Sequence, residues 1–301
     1  MSTETSAGLH AMTVNEDAPI RSNACRQALG EQVSMDTLFR ALTVTPLGQP
    51  ETELVLNVAD EVPVRLTFNG IFPHGVMMMT PDDLEDFAYG YCLTEEIIHC
   101  AANVRAVAIT QDDDGLTMDI TLAGECLSAL LKRRPRVQTG HTSCGICGTD
   151  EVPGIERSAA PLLPLTHTIA VDAVRKALND LDTWQRLNAA TRMVHAAAWS
   201  NADGCIQIIR EDVGRHNALD KLIGARMRNE IATGNGFCLL TSRYSFEMAL
   251  KTVRAGIAVV VAVSAPTYRA FCLAEKAHQT LVAVARRDRQ IVFCGGERVT
   301  K

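Results

Sequence analysis

The sequence predicts a mixed α/β protein, α+β overall, built as a small N-terminal sheet-plus-helix domain followed by a larger layered α/β domain. Three observations carry this reading. Short alternating strands flank an Asn69-Gly70 turn; a stretch rich in Gly, Pro, Ser and Thr divides the chain over 135–164; and strands alternate with helices beyond it. The domain bounds that follow are a mobile tail over 1–35, the small domain over 36–134, an exposed connector over 135–164 and the larger domain over 165–301.

In chain order, Leu54-Val55-Leu56-Asn57-Val58 and Val62-Pro63-Val64-Arg65-Leu66-Thr67-Phe68 alternate as two strands, and Asn69-Gly70 ends the second in a tight turn. Thr80-Pro81-Asp82-Asp83 offers an N-cap, a proline at the first helical position and two acids in the first turn, so a helix is expected from Pro81 to Ile98. Strands follow at Val104 to Thr110 and Leu116 to Leu122, with the polar turn Gln111 to Gly115 between them, and a helix over Glu125 to Arg133 closes the small domain.

Past the connector, Val171, Val174, Leu178 and Leu181 recur at helical spacing. His195 to Arg210 reads as two strands turned by Asn201-Ala202-Asp203-Gly204. Alternation then sets in: helix Val213 to Ile231, strand Phe237 to Thr241, helix Glu247 to Ala255, strand Ala258 to Ser264, helix Thr267 to His278, and strands at Leu281 to Ala285 and Gln290 to Phe293.

At 301 residues, 47% hydrophobic and 21% charged, the chain can bury its own core. A net charge of -6 argues against a general nucleic-acid binder, which needs a basic face to displace counterions, so any phosphate contact is local. The longest apolar run, Ala258 to Val263, is too short to cross a bilayer, and Met1 to Leu29 lacks a basic segment followed by an apolar one. A cytoplasmic protein without membrane insertion is expected.

Ten cysteines are diluted in a long chain. Cys92, Cys126, Cys205, Cys238, Cys272 and Cys294 read as small hydrophobes among apolar neighbours. Cys144 and Cys147 stand apart in His141-Thr142-Ser143-Cys144-Gly145-Ile146-Cys147-Gly148, where a glycine after each cysteine lets a large partner approach both sulfurs. Arg133, Arg134, Arg136 and His141 lie just upstream, a charge setting that favours the thiolate needed to attack a sulfane sulfur. Half of a zinc site, a dithiol redox switch and ordinary surface thiols are the competing readings. Zinc needs two further ligands at suitable spacing, and a thioredoxin-like motif belongs between a strand and a helix.

Thr142-Ser143-Cys144-Gly145-Ile146-Cys147-Gly148, the stretch Arg210-Glu211-Asp212-Val213-Gly214-Arg215-His216-Asn217-Ala218-Leu219-Asp220-Lys221, and Thr241-Ser242-Arg243 to Pro266 closely resemble the FdhD family of formate dehydrogenase accessory sulfurtransferases. The resemblance implies a cytidine-deaminase-like larger domain and a homodimer. It implies that sulfur from a cysteine desulfurase is carried as a persulfide on Cys144, assisted by Cys147. The recipient would be bis(molybdopterin guanine dinucleotide), the cofactor of formate dehydrogenase. It associates cofactor binding with Val284, Ala285, Arg286, Arg287, Asp288 and Arg289, whose three guanidinium groups suit phosphates, and Arg215 and His216 are further candidates.

Deamination itself is not expected, because His195 is followed by Ala196 and Ala197 with no glutamate, and the CxxC lies upstream of it. Asp212, His216 and Asp220 fall four residues apart and would share a helix face, yet capping by Asp212 and internal hydrogen bonding by His216 are the simpler roles, and no metal site is predicted. The alternatives to a sulfurtransferase are a non-catalytic molybdenum-cofactor chaperone and a CxxC redox regulator.

Overall fold

The computed structural model describes residues 34–132 and 168–301. Residues 1–33 of the tail expected over 1–35, and the whole connector over 135–164, lie outside the described residues; Met35, at the end of the expected tail, opens a short 3-10 helix, Met35–Thr37.

The chain opens with the antiparallel hairpin β1 (Phe39–Val44) and β2 (Leu54–Ala59). Next come β3 (Val62–Phe68), β4 (Phe72–Met79), α1 (Leu84–Thr94), β5 (Val104–Asp112), β6 (Gly115–Leu122) and α2 (Gly124–Lys132). Four of these strands form a sheet in the order β4-β3-β6-β5. Alternation sends Val64, Leu66, Phe68, Met118 and Ile120 to one face, where Phe87 and Tyr91 of α1 cover them. Strands β1 and β4 were not anticipated from the sequence. β4 carries Pro73 and Gly75, which mask its period, and a sheet-edge position is where a strand tolerates proline.

The second half comprises β7 (Ile169–Ala170), α3 (Val171–Trp184), α4 (Arg186–Thr191), β8 (His195–Asn201), β9 (Ile206–Asp212), α5 (Arg215–Arg228), β10 (Gly236–Leu240), α6 (Phe246–Arg254), β11 (Val259–Ala262), α7 (Tyr268–Lys276), β12 (Thr280–Ala283), β13 (Ile291–Cys294) and β14 (Val299–Thr300). A six-stranded sheet runs β13-β12-β11-β10-β8-β9, with β10, β11 and β12 parallel and the others antiparallel to their neighbours. Cys238 and Leu240 of β10 face the layer of α5, α6 and α7, while Phe237 and Leu239 face α3. Helices on both faces explain why β10, β11 and β12 are buried throughout and, Thr280 apart, apolar. The mixed α/β fold expected from the sequence is the one observed.

The halves meet where α1 crosses α5. A Cβ placed on Gly90 would lie 1.8 Å from the Asp220 carbonyl oxygen, and one on Gly224 would lie 1.8 Å from that of Asp86, so the two backbones touch through glycine. Ion pairs surround the crossing. Arg210 and Arg228 bind the two oxygens of Asp86 at 2.7 and 2.6 Å. Lys251 contacts Asp220 at 2.8 Å and Glu95 at 3.5 Å.

This junction corrects the expected start of α1. Thr80 does not cap it; the N-cap is Asp83, in a left-handed conformation with no side-chain cap. Thr80 is used across the junction instead. Its N–H donates to Asp212 Oδ2, its Oγ1 accepts from the Val213 N–H, and its carbonyl accepts from Lys221 Nζ.

Candidate functional site

In open α/β sheets, ligands favour the carboxyl edge of the parallel strands. Here the loops after β10, β11 and β12 emerge at that edge, joined by the first residue of β8 and the last of β9. His195 sits opposite Asp212 in the β8–β9 register, and the Ala196 N–H donates to Thr241 Oγ1 at 2.8 Å. Two helices begin there, α5 at Arg215 and α6 at Phe246. Their free N–H groups and dipoles favour negative charge.

Several polar atoms at this edge are buried without a hydrogen-bond partner among the described residues: Arg215 Nε, His216 Nε2 and Ser245 Oγ. Ser245 occupies the N-cap position of α6, yet its hydroxyl makes no capping bond. Buried polar groups are ordinarily paired, so these atoms are open to a partner outside the described residues. Arg215 and Arg243 lie close enough to His195 to depress its pKa, after burial, which is the larger cause. Burial pushes His216 down to about 4, helped by Arg215 and Lys251. Both imidazoles are therefore neutral at physiological pH, and the positive charge belongs to the arginines. Guanidinium groups, a hydroxyl and helix N-termini together make a cradle for an oxyanion.

Asp212, His216 and Asp220 do not share one helix face. Asp212 ends β9 rather than sharing the α5 face, and both it and its ion-pair partner Lys221, at 2.7 Å, are fully buried. Its other oxygen accepts from the Gly214 N–H and from Asn217 Nδ2, which tethers the start of α5. Asp220 is held by Lys251 and by Thr94 at 2.7 Å. The internal hydrogen bond expected of His216 is not made by its Nε2.

Val284 to Arg289 follow β12 on the same edge, separated from the cradle by the loop after β11. Val284 has φ +50°, an unusual conformation for a β-branched residue, costing about 1–3 kcal/mol. Its N–H donates to the Ser264 carbonyl. Ala285 is buried, and Arg286, Arg287, Asp288 and Arg289 are exposed. Arg287 pairs with Asp182 of α3 at 2.6 Å, and the Arg286 N–H closes a turn on the Arg289 carbonyl. Cys144 and Cys147 fall outside the described residues.

Two cradle residues, Arg243 and Ser245, were not singled out as ligands from the sequence. The available signal was their place directly after an apolar strand and before a helix. The core assignment holds for Cys92, Cys126 and Cys238, but Cys272 is exposed and Cys205 and Cys294 are half-buried. Apolar sequence neighbours misled for Cys272, because adjacent helical positions point about 100° apart and Phe271 and Leu273 do not share its direction. Among the described residues, no three His, Cys, Asp or Glu side chains gather as metal ligands, and no helix is long and apolar enough to cross a membrane.

The buried His216 predicts a pH dependence. Its folded pKa lies below the unfolded value, so the neutral form is favoured by folding. The associated stability is present above pH ~6.5 and lost as pH falls toward 4, by about 3 kcal/mol. Asp83, pushed up to about 6 by burial against the opposing effect of Arg210, titrates nearby with the opposite sign. The readout is therefore the difference between parent and His216→Gln in urea unfolding across pH 7 to 4. The parent should lose stability relative to the variant as pH falls, and parallel curves would refute the assignment.

The sequence profile of the FdhD/NarQ family matches residues 59–300. A sulfur carrier protein FdhD from Xanthomonas euvesicatoria is 44% identical over 242 residues, covering 80% of this chain and 85% of that protein. One from Bordetella bronchiseptica is 42% identical over 243 residues, covering 81% and 87%. A crystal structure described as that of a formate dehydrogenase accessory protein from Desulfotalea psychrophila superposes with a TM-score of 0.68 at 24% identity. The match spans 87% of this chain and 98% of that one, a likeness of fold. A profile match over most of the chain, with relatives above 40% identity, leads to one conclusion: the chain belongs to the FdhD/NarQ family.

Proposed function

We propose that this protein is a sulfur carrier and sulfurtransferase that serves formate dehydrogenase. It takes sulfur from a cysteine desulfurase onto Cys144 and delivers it to bis(molybdopterin guanine dinucleotide). The relatives named sulfur carrier proteins support the carrier role. The Cys144 thiolate attacks the terminal sulfur of the donor persulfide, the donor S–S bond breaks, and the donor cysteine leaves as a thiolate while a persulfide forms on Cys144. Cys147 assists by exchange or by shielding the sulfur. The protein works in the cytoplasm as a homodimer.

The observation that carries the cofactor half of this reading is the cradle of buried, unpartnered Arg215, His216 and Ser245 atoms beside the two helix starts. Its donors fit a phosphate of the client dinucleotide. The client brings the metal that receives the sulfur; Arg215 and Arg243 neutralise phosphate charge, and the neutral imidazoles add hydrogen bonds without further charge. Arg286 and Arg289, exposed on the same edge, extend the positive surface toward the second nucleotide, and Val284, Ala285, Arg287 and Asp288 shape the turn that presents them.

The test is peptide mass spectrometry after incubation with a cysteine desulfurase and cysteine, comparing the parent with Cys144→Ala and Cys147→Ala. A reducible gain of one sulfur on the Cys144 peptide, retained in Cys147→Ala and lost in Cys144→Ala, is the expected result. No gain beside an active desulfurase would overturn the carrier role.

A further inference from the structure

Lys176 and Cys205 meet far from the cradle and play no part in the sulfur-carrier reading. Lys176 lies on α3; Cys205 closes the turn between β8 and β9. The Lys176 ammonium donates to Cys205 Sγ at 3.2 Å, to the Gly204 carbonyl at 3.2 Å and to Asp180 Oδ2 at 3.4 Å. This contact is built into the fold from both sides. Asn201 Oδ1 accepts from the N–H groups of Asp203 and Cys205, and the Asn201 N–H donates to the Cys205 carbonyl, which fixes the turn. Gly204, at φ +76°, lets the turn press on α3 so closely that a Cβ there would lie 2.2 Å from the Ala173 carbonyl oxygen. Lys176 is exposed and Cys205 half-buried, so a small reagent reaches the pair.

We propose that Lys176 and Cys205 form an oxidative modification site, at which a hydroperoxide such as hydrogen peroxide converts the neighbouring amine and thiol into a covalent nitrogen–sulfur link. In the first step the Cys205 sulfur attacks one peroxide oxygen, the O–O bond breaks, a sulfenic acid forms, and the departing hydroxide takes a proton to become water. Sulfur is oxidised by two electrons and peroxide is reduced by two. In the second step, Lys176 releases its ammonium proton to solvent and its nitrogen attacks the sulfur. The S–O bond breaks, and the leaving hydroxide takes a second nitrogen proton to become water, with no further redox change. The net reaction is one thiol, one ammonium and one peroxide giving one sulfenamide, two waters and one proton.

The position of the amine makes this site selective. Cys92, Cys126 and Cys238 are buried. Of the other accessible thiols among the described residues, Cys100 faces Asn103, Cys294 faces the Gln279 carbonyl and Cys272 faces the Tyr268 hydroxyl, none of which offers an amine to condense. The link would join α3 to the edge hairpin of the large sheet.

The test treats the full chain with hydrogen peroxide in mildly alkaline buffer, alkylates the remaining thiols and reads peptides by mass spectrometry. The expected product is the Lys176 and Cys205 peptides joined, with a mass two hydrogens below their sum. It should be cleaved by dithiothreitol and absent from both Lys176→Arg and Cys205→Ser. Lys176→Arg keeps the positive charge of an exposed side chain, so loss of the product there reports the missing amine rather than a fold defect. Cys205 proceeding to sulfinic acid equally in parent and Lys176→Arg, with no joined peptide, would overturn the proposal. So would a joined pair that retains an added oxygen.

Discussion

Gly224→Ala is expected to destabilise the protein by about 4 kcal/mol or more, although alanine is the better helix former by about 1 kcal/mol. The sign is reversed by the crossing of α1 and α5. The new Cβ would sit 1.8 Å from the Asp86 carbonyl oxygen and 2.8 Å from the Gly90 nitrogen, and backbone cannot rotate away as a side chain can. Separating the helices stretches contacts that hold the two halves together, among them Arg210 to Asp86 at 2.7 Å and Thr94 to Asp220 at 2.7 Å. Denaturant unfolding should show a large fall in midpoint, or no cooperative transition at all. Gly124→Ala is the control: it lies in α2 with nothing within 4 Å of the added methyl, and should be neutral or slightly stabilising. A Gly224→Ala midpoint equal to that of the parent would mean that the helices do not approach this closely.

Lys251→Met is expected to cost about 3–5 kcal/mol, the range for removing one partner of a buried ion pair. Lys251 is 4% exposed and its ammonium contacts both oxygens of Asp220, at 3.1 and 2.8 Å, and Thr94 Oγ1 at 2.9 Å. Without it, the Asp220 carboxyl, 1% exposed, remains in the junction and loses the ammonium that balances it. The double variant Lys251→Met with Asp220→Asn should recover part of the loss, because a neutral amide has less to lose from burial than a carboxylate. Urea unfolding of the parent, both single variants and the double variant closes the cycle. Purely additive losses would show that the pair is not coupled.

The long motif from Arg210 to Lys221 therefore has two tasks that its sequence does not separate. Arg210, Asp212, Asp220 and Lys221 serve the junction, whereas Arg215 and His216 present polar atoms with no partner inside the described fold. A variant at one of the junction residues is expected to lose function through stability. A variant of Arg215 is expected to act through ligand binding, which gives a way to sort loss-of-function substitutions across the motif.

The sequence by itself determined the class of the fold and most of its elements. These depend on local periodicity: two for Val64, Leu66 and Phe68 in β3, helical spacing for Val174, Leu178 and Leu181 in α3, and turn chemistry at Asn69-Gly70 and Asn201 to Gly204. It also singled out Cys144 and Cys147, by their spacing, the glycine after each and the basic residues just upstream. What only the tertiary structure decided depends on partners far away in the chain. Thr80 looked like a helix cap but bonds Asp212 across 132 positions; Asp220 looked like a possible ligand but is neutralised by Lys251 from another helix. The cradle was only half legible, through Arg215 and His216, for the same reason. A hydroxyl, an imidazole and a guanidinium become a site only when two separate segments, the start of α5 and the start of α6, bring them to one sheet edge and leave atoms of each unpaired, and a linear sequence records the donors without recording which of them the fold has already satisfied.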